Sequence, residues 1–406
     1  TICFGSCQYQ DGYRHSNVWD QMQKLNPLLF LQLGNWTYPD QQISPEFATS
    51  DSMQAKAYEN KYDPADAVNT LLSNRAVDYV YDDHDFASPD ANGTSPGKSH
   101  SLAAYKTYFP HYDLANNSEG IWHTFFVGNV QFFALDMRSD RSSLTTGSKL
   151  GVDQLSWLTN ALQHSTARWK IILSSATWNP ALSTALSQRF PIMDNWSSED
   201  RDSITALIKG DKIKNVIVYS GHVGTSMMDD GEHSIIPEIV VGNLEAPNSH
   251  LYRTFDSLGI AATTWDKGGQ LHDTTNCFGI LNVITNPVNL LEMMIENERG
   301  DTVARYVMQD ETSKVPFSPL GMVSNGVRIL NQTSTDIDVR VSFEHEVPLK
   351  FYVADSAGNQ VRLLTNGSFS PGSIRFHIFT TTLKTGNYAF VLEAEGKIWR
   401  APFTVK

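Results

Sequence analysis

Short apolar runs ending in glycine or polar residues recur along the chain as far as about residue 310. "NPLLFLQLGN", "AVDYVYDDHD", "NVQFFALDMR", "RWKIILSSA" and "NVIVYSGHVG" each carry four to eight apolar residues, the length and character of strands buried on both faces. Between several of them the period changes to that of a helix, as in "VWDQMQKL", "DAVNTLLSN" and "VDQLSWLTNALQHS". In the last stretch Leu155, Leu158 and Leu162 share one face, and Asp153 lies in the first turn, where its charge suits the helix N-terminus. Strand-helix alternation predicts an α/β sandwich whose sheet edges gather the functional loops. From about residue 316 the period becomes two, in "VRILNQTSTDIDVRVSFEHEVPLKFYVADSAGNQVRLLTN" and "GNYAFVLEAEGKIWRAPFTVK". Seven or so short strands without helices, with turns at Gly358-Asn359 and Gly396, predict a small all-β sandwich of roughly 90 residues. Tyr388 is expected to pack inward there, Gly386 to relieve a tight corner, and "SKVPFSPLG" to link the two parts.

The 406 residues favour two domains over one core. A hydrophobic content of 41% with 18% charged residues is that of a globular chain. The formal net charge of −13 excludes nucleic acid and anionic membrane as main partners, because both require basic surface. No apolar run reaches the ~18 residues of a membrane span, so no transmembrane segment is expected. The start at "TICFGSC", inside a strand pattern, reads as a mature N-terminus with its export signal removed. Cys3, Cys7 and Cys277 are too few for a disulfide scaffold, and Cys3 and Cys7 are expected on the same side of one strand. Six N-x-S/T sequons occur, at Asn35, Asn92, Asn116, Asn195, Asn331 and Asn366, and chance alone produces them in a chain of this composition.

Four stretches follow apolar strands of the first region: "FGSCQY", "LGNWTY", "VYDDHDF" and "VYSGHVGTS". Strand ends of α/β sheets are where sites assemble. In this order the four resemble the PhoD-like phosphatase and phosphodiesterase family, a branch of the calcineurin-like metallophosphoesterases. The likeness extends to "FFALDMRSDR" (132–141), "LGVDQLSWLTNAL" (150–162), "WKIILSSATWN" and "NCFGILNV" (276–283). It implies an α/β four-layer αββα metallophosphoesterase-like sandwich over residues 1–312, with metal ions held between the strand-end loops.

Carried over residue by residue, Cys7 matches the family's thiolate ligand and Tyr38 its phenolate, both suited to ferric iron, while Asp82 and Asp83 match the paired aspartates of its D-D-H motif. Other positions differ. Asn35 stands where the resemblance implies a bridging aspartate, Pro89 where it implies an asparagine (with Asn92 nearby), and "SGHVG" puts His222 for an aspartate and Gly224 for a histidine. Asn35 offers one neutral carbonyl oxygen and cannot bridge two cations as an anion does; Pro89 and Gly224 offer no side-chain donor. Each lost unit charge ~4 Å from a cation forfeits on the order of 4 kcal/mol per unit of cation charge at an effective dielectric near 20. Arg138 and Arg141 of "DMRSDR" are expected to pair with carboxylates or cap the sheet rather than touch substrate.

The site as written therefore predicts no metal or one, and a multinuclear Fe/Ca centre is disfavoured. The wider superfamily uses a G-H-x-H motif, so Cys7, Tyr38, one of Asp82 and Asp83, and His222 could make a mononuclear iron or zinc site, with calcium as the hard-cation alternative. The other reading makes His222 a hydrogen-bond partner of the Asp82–Asp83 loop. Residues 316–406 resemble Ig-like modules that sort cargo of type IX secretion, which implies export, a cell-surface location and outer-membrane secretion machinery as partner. The function implied is a secreted or cell-surface phosphatase-fold protein with a degenerate metal site, serving as a binding or structural component. The alternative is an active metal-dependent phosphomonoesterase or phosphodiesterase with a rearranged site.

Overall fold

The structure, a computed structural model, describes residues 1–9, 16–62, 66–142, 147–180, 196–229, 231, 234–245, 276–285, 289–300, 302–310, 326–343, 347–369 and 372–406. The "SKVPFSPLG" segment and Asn195 lie outside the described residues. In chain order the first region has strands β1 (Ile2–Gly5), β2 (Leu29–Gln32), β3 (Ala76–Tyr79), β4 (His123–Val127), β5 (Val130–Ala134), β6 (Trp169–Ser174), β7 (Val216–Ser220), β8 (Ser226–Asp229), β9 (Glu238–Val241), β10 (Cys277–Ile284), β11 (Leu290–Asn297) and β12 (Thr302–Gln309). Its helices are α1 (Val18–Leu25), α2 (Pro39–Gln42), α3 (Asp51–Lys61), α4 (Asp66–Asn74), α5 (Asp83–Phe86), α6 (Lys98–Tyr108), α7 (Gly151–His164) and α8 (Ser198–Gly210). Among the described residues no helix is long and apolar enough to cross a membrane.

Two six-stranded mixed sheets form, ordered β12-β11-β10-β1-β2-β3 and β4-β5-β6-β7-β9-β8. In the first, β1, β2 and β3 run parallel; in the second, β5, β6, β7 and β9 do. The continuous apolar runs are explained by alternation across each sheet. Phe4, Leu31, Phe132, Ile171 and Ile217 point into one cluster between the sheets, where the rings of Phe4 and Tyr219 stack at 4.3 Å. Their neighbours Cys3 and Phe30 turn the other way, onto Val18, Trp19 and Met22 of α1 and Val68 and Leu71 of α4. On the far side Phe133, Ile172 and Val218 meet Leu158 and Leu162 of α7 and Ile204 and Ile208 of α8. The apolar clusters thus lie in the sequence helices, sheet, sheet, helices. Each fully buried Leu, Ile or Phe stabilises by roughly 1.5–3 kcal/mol, which is why both faces of every central strand are apolar.

The last part is all β: β13 (Gly326–Gln332), β14 (Asp336–Phe343), β15 (Val347–Asp355), β16 (Gln360–Phe369), β17 (Gly372–Phe379), β18 (Gly386–Ala394) and β19 (Lys397–Val405). They form sheets ordered β13-β14-β17 and β16-β15-β18-β19 around an apolar cluster of their own, with Phe351 and Phe376 meeting across it at 4.8 Å. Gly358 and Gly396 adopt φ of 87° and 72°, the left-handed values their turns require. Gly386 differs from expectation. A Cβ there would meet nothing closer than 3.7 Å, so the position is not crowded. Tyr388 is half-buried, its ring 5.7 Å from Phe403 and its hydroxyl donating to the Lys384 carbonyl at 2.8 Å.

Candidate functional site

The C-terminal ends of β1, β2, β3 and β7 deliver the four singled-out stretches to one place. Glycine lets them approach: a Cβ on Gly34 would lie 2.5 Å from the Asp82 Cβ, and one on Gly221 would lie 2.4 Å from the Ser6 hydroxyl oxygen. Backbone hydrogen bonds then tie the loops together, Cys7 N–H to the Gly34 carbonyl at 3.1 Å and Gln8 N–H to the Asn35 carbonyl at 2.9 Å. Cys7 therefore sits beyond β1 in a left-handed conformation rather than beside Cys3 on the strand. Of eleven described non-glycine residues with positive φ, six lie here: Cys7, Asn35, Thr37, Tyr38, Asp90 and His222. Such backbone costs ~1–3 kcal/mol per residue and gathers at functional loops.

The acidic loop has three carboxylates with three different fates. Asp82 is fully buried and engaged on both oxygens: Arg138 Nε donates at 2.9 Å with a second guanidinium contact, and His222 Nδ1 lies 2.6 Å from Oδ2. Asp85 accepts from the N–H groups of Asn35, Trp36 (2.7 Å) and Asp82 (3.0 Å), and from the buried Lys61 ammonium at 3.0 Å. Lys61 also donates to the Trp36 carbonyl at 2.6 Å, and lies 5.5–5.7 Å from the rings of Trp36, Tyr58 and Tyr79. Asp83 takes the Asp90 N–H on Oδ2 at 2.9 Å, while its buried Oδ1 has no hydrogen-bond partner and lies 3.8 Å from His222 Nδ1. Burial raises the proton affinity of Asp82 and Asp83, but the charge of Arg138, joined by His222, outweighs it and holds both below the ordinary carboxylate range.

The remaining positions present protons or nothing. Burial pushes the Cys7 thiol up to about 11, against hydrogen bonds from Tyr38 and Ser6, and the thiol donates to the His222 carbonyl at 3.4 Å. Burial likewise lifts the Tyr38 phenol well above its usual value, and the neighbouring Cys7 adds to it. Asn35 turns its carbonyl oxygen to the His84 N–H at 3.2 Å, which makes it part of the loop's scaffold; it is buried, which removes it as a glycosylation acceptor. His84 Nδ1 lies 2.8 Å from Asp40; burial opposes its protonation, but that bond and the nearby aspartates raise it. Gly224 supplies its backbone N–H to the Cys7 sulfur. Pro89 is exposed, and Asn92 spends its side-chain oxygen on Thr94, at 2.9 and 2.7 Å, within its own loop.

Of the expected residues, Cys7, Asn35, Tyr38, Asp82, Asp83, His222 and Gly224 come together, and Pro89 is exposed next to Asp90, whose N–H donates to Asp83. Ligand atoms of Asp82, Asp83 and His222 fall within 4.8 Å of one another. That donor set does not fit the family's cluster of cations. Asp82 is already paired twice, the Asn35 oxygen is engaged, and of the two paired aspartates only Asp83 keeps an oxygen without a hydrogen bond. Sequence reasoning anticipated carboxylate pairing for Arg138 and missed Lys61. The signal for Lys61 was faint: a lysine three residues beyond Tyr58 at the end of a helix whose Gln54, Ala57 and Tyr58 are buried.

The model for the PhoD-like phosphatase family matches residues 2–267. Alkaline phosphatase D of Bacillus subtilis (strain 168) is 28% identical over 274 residues, which cover 56% of this chain and 46% of that protein, so this chain spans less than half the length of that curated relative. A solved structure described as the structure of PhoD shares the fold at a TM-score of 0.51 and 16% identity, over 77% of this chain and 72% of the other. With the family model covering well over half of its length and the strand-end loops in place, the chain belongs to the PhoD-like phosphatase family.

Proposed function

We propose that this is a phosphatase-fold protein of impaired or absent catalysis, with the protein's own cations in the place of metal, serving as a binding or structural component. The observation that carries this reading is the double engagement of Asp82 by Arg138 and His222. In-line phosphoryl hydrolysis by such folds needs two or more cations to activate water and neutralise the phosphoryl oxygens, and of the two aspartates at the family's ligand positions only Asp83 has an oxygen without a hydrogen bond. The second reading is a single metal at Asp83 and His222, favoured by that same oxygen and by the spacing of the group.

The architecture fits the four-layer αββα sandwich of the metallophosphoesterases, with a division near residues 312–316 supported by the separate apolar clusters. Seven strands in sheets of three and four support an Ig-like reading of the last part as a sorting module for secretion to the cell surface.

The test restores Asn35→Asp, His222→Asp and Gly224→His together and assays a nitrophenyl phosphate ester with iron and calcium supplied. Wild type is expected to turn over at the background rate, and the triple variant to gain metal and activity. Wild-type turnover well above background would overturn the reading.

A further inference from the structure

His123 begins β4, the edge strand of the second sheet, and Asp78 lies on β3, the edge strand of the first. Both side chains are buried. His123 Nδ1 faces the Ile121 carbonyl at 2.8 Å, and Nε2 faces both Asp78 oxygens at 3.1 and 3.2 Å. Each ring nitrogen thus points at an acceptor. A neutral imidazole has one N–H to give, so only the doubly protonated ring satisfies both. We propose that His123 and Asp78 form a proton-operated clasp between the two sheets, tightest while the imidazole carries both protons and loosened when one of them leaves to solvent.

Loss of one proton removes the cationic charge facing a buried carboxylate and leaves one ring nitrogen with a lone pair against an oxygen, so the contact weakens. The strand it braces matters, because β3 runs on through Val80 and Tyr81 into Asp82 and Asp83. Proton-independent contacts hold the same strand: its parallel pairing with β2, the Val80 N–H on the Gln32 carbonyl at 3.1 Å, and Tyr105 of α6 donating to the Tyr79 carbonyl at 2.9 Å, so the clasp adds to them at the end of β3. Of the titratable groups around the pair, Asp78 is the charge that His123 faces. Tyr112 covers the ring at 6.1 Å and reaches solvent, and Tyr112 and Tyr105 are both held protonated, burial and the Asp78 charge acting together. Burial alone drives His123 toward neutrality; the Asp78 charge and hydrogen bond and the Ile121 carbonyl overcome it and raise the group above its ordinary value.

The test follows the ring proton of His123 by NMR against pH in the full chain, assigned by its loss in His123→Gln. Wild type is expected to titrate above ~6.5, the unperturbed histidine value, and Asp78→Asn below it, a reversal worth more than about tenfold in proton affinity. Protection of the Tyr79 and Val80 amides, after correction for base-catalysed intrinsic exchange, is expected to fall as pH rises through the wild-type midpoint. A wild-type midpoint below the unperturbed value overturns the clasp, as does an unmoved midpoint in Asp78→Asn or exchange that ignores the midpoint. Should Asp78→Asn fail to fold, the wild-type titration and exchange decide the matter alone.

Discussion

The strand-end region of the α/β part and the C-terminal β part solve their packing differently. The first buries Asp82, Asp83, Asp85, Arg138 and Lys61 among loops in six left-handed non-glycine conformations. The second has a core of Ile337, Val339, Phe351, Phe376, Phe390 and their apolar neighbours, and puts its left-handed turns largely on glycine, with Glu395 beside Gly396 the non-glycine case. Strain and buried charge are costs that a merely stable fold sheds. Their concentration in one region says that these loops are held in a specified shape.

The largest effects should come from unpairing the buried charges. Lys61→Met leaves Asp85 buried with no counter-charge and should cost about 3–5 kcal/mol in a denaturant titration, as should Arg138→Met. Asp85→Asn added to Lys61→Met should recover part of the first loss, because the amide removes the unpaired charge and keeps an oxygen for the Asn35 and Asp82 N–H groups, whereas two independent losses would show that the pair is not the unit. In the C-terminal part the matching loss is apolar, with Phe351→Ala expected to cost about 3–5 kcal/mol by cavity formation.

Next comes a pH dependence with its source outside the strand-end cluster. Burial lifts Glu238 from 4.5 to about 7, although Ser220 donates to it at 2.6 Å and the N–H groups of Trp178 and Asn179 at 2.7 and 2.9 Å. Because the folded state holds this proton more tightly than the unfolded one, stability falls as pH rises from 4.5 to about 7 and is level above that. The contribution is about 3 kcal/mol across the window, and Glu238→Gln should flatten the slope in thermal unfolding measured against pH.

Smaller changes sharpen the contrast further. His222→Ala removes one of two partners from Asp82 and should cost about 1–3 kcal/mol, less than Arg138→Met, since the guanidinium still pairs the carboxylate. Gly358→Ala meets no neighbour within 4 Å and should cost about 1 kcal/mol from its left-handed backbone alone.

Much of the architecture was legible because burial leaves a local signature. Runs such as "LLFLQL" and "WKIILS" had to be strands, and the helical period of Leu155, Leu158 and Leu162 gave a face of which Leu158 and Leu162 are fully buried and Leu155 half-buried. Partner choice leaves none. Lys61 meets Asp85 across 24 positions, Arg138 meets Asp82 across 56, and His123 meets Asp78 across 45, each pairing being fixed by how the helices, loops and two sheets pack together. The candidate ligands Cys7, Tyr38, Asp82 and Asp83 could be named from their motifs, but that Asp82 is doubly paired depends on chain segments 56 and 140 positions away.

Elemental analysis of the purified full chain, after incubation with iron, zinc and calcium and removal of loose ions, tests the central claim most directly. With Arg138 and His222 already seated on Asp82, no more than one metal per chain should remain, and chelator should leave the melting temperature unmoved. Two or more retained ions per chain, together with a melting temperature that drops on chelation, would contradict it.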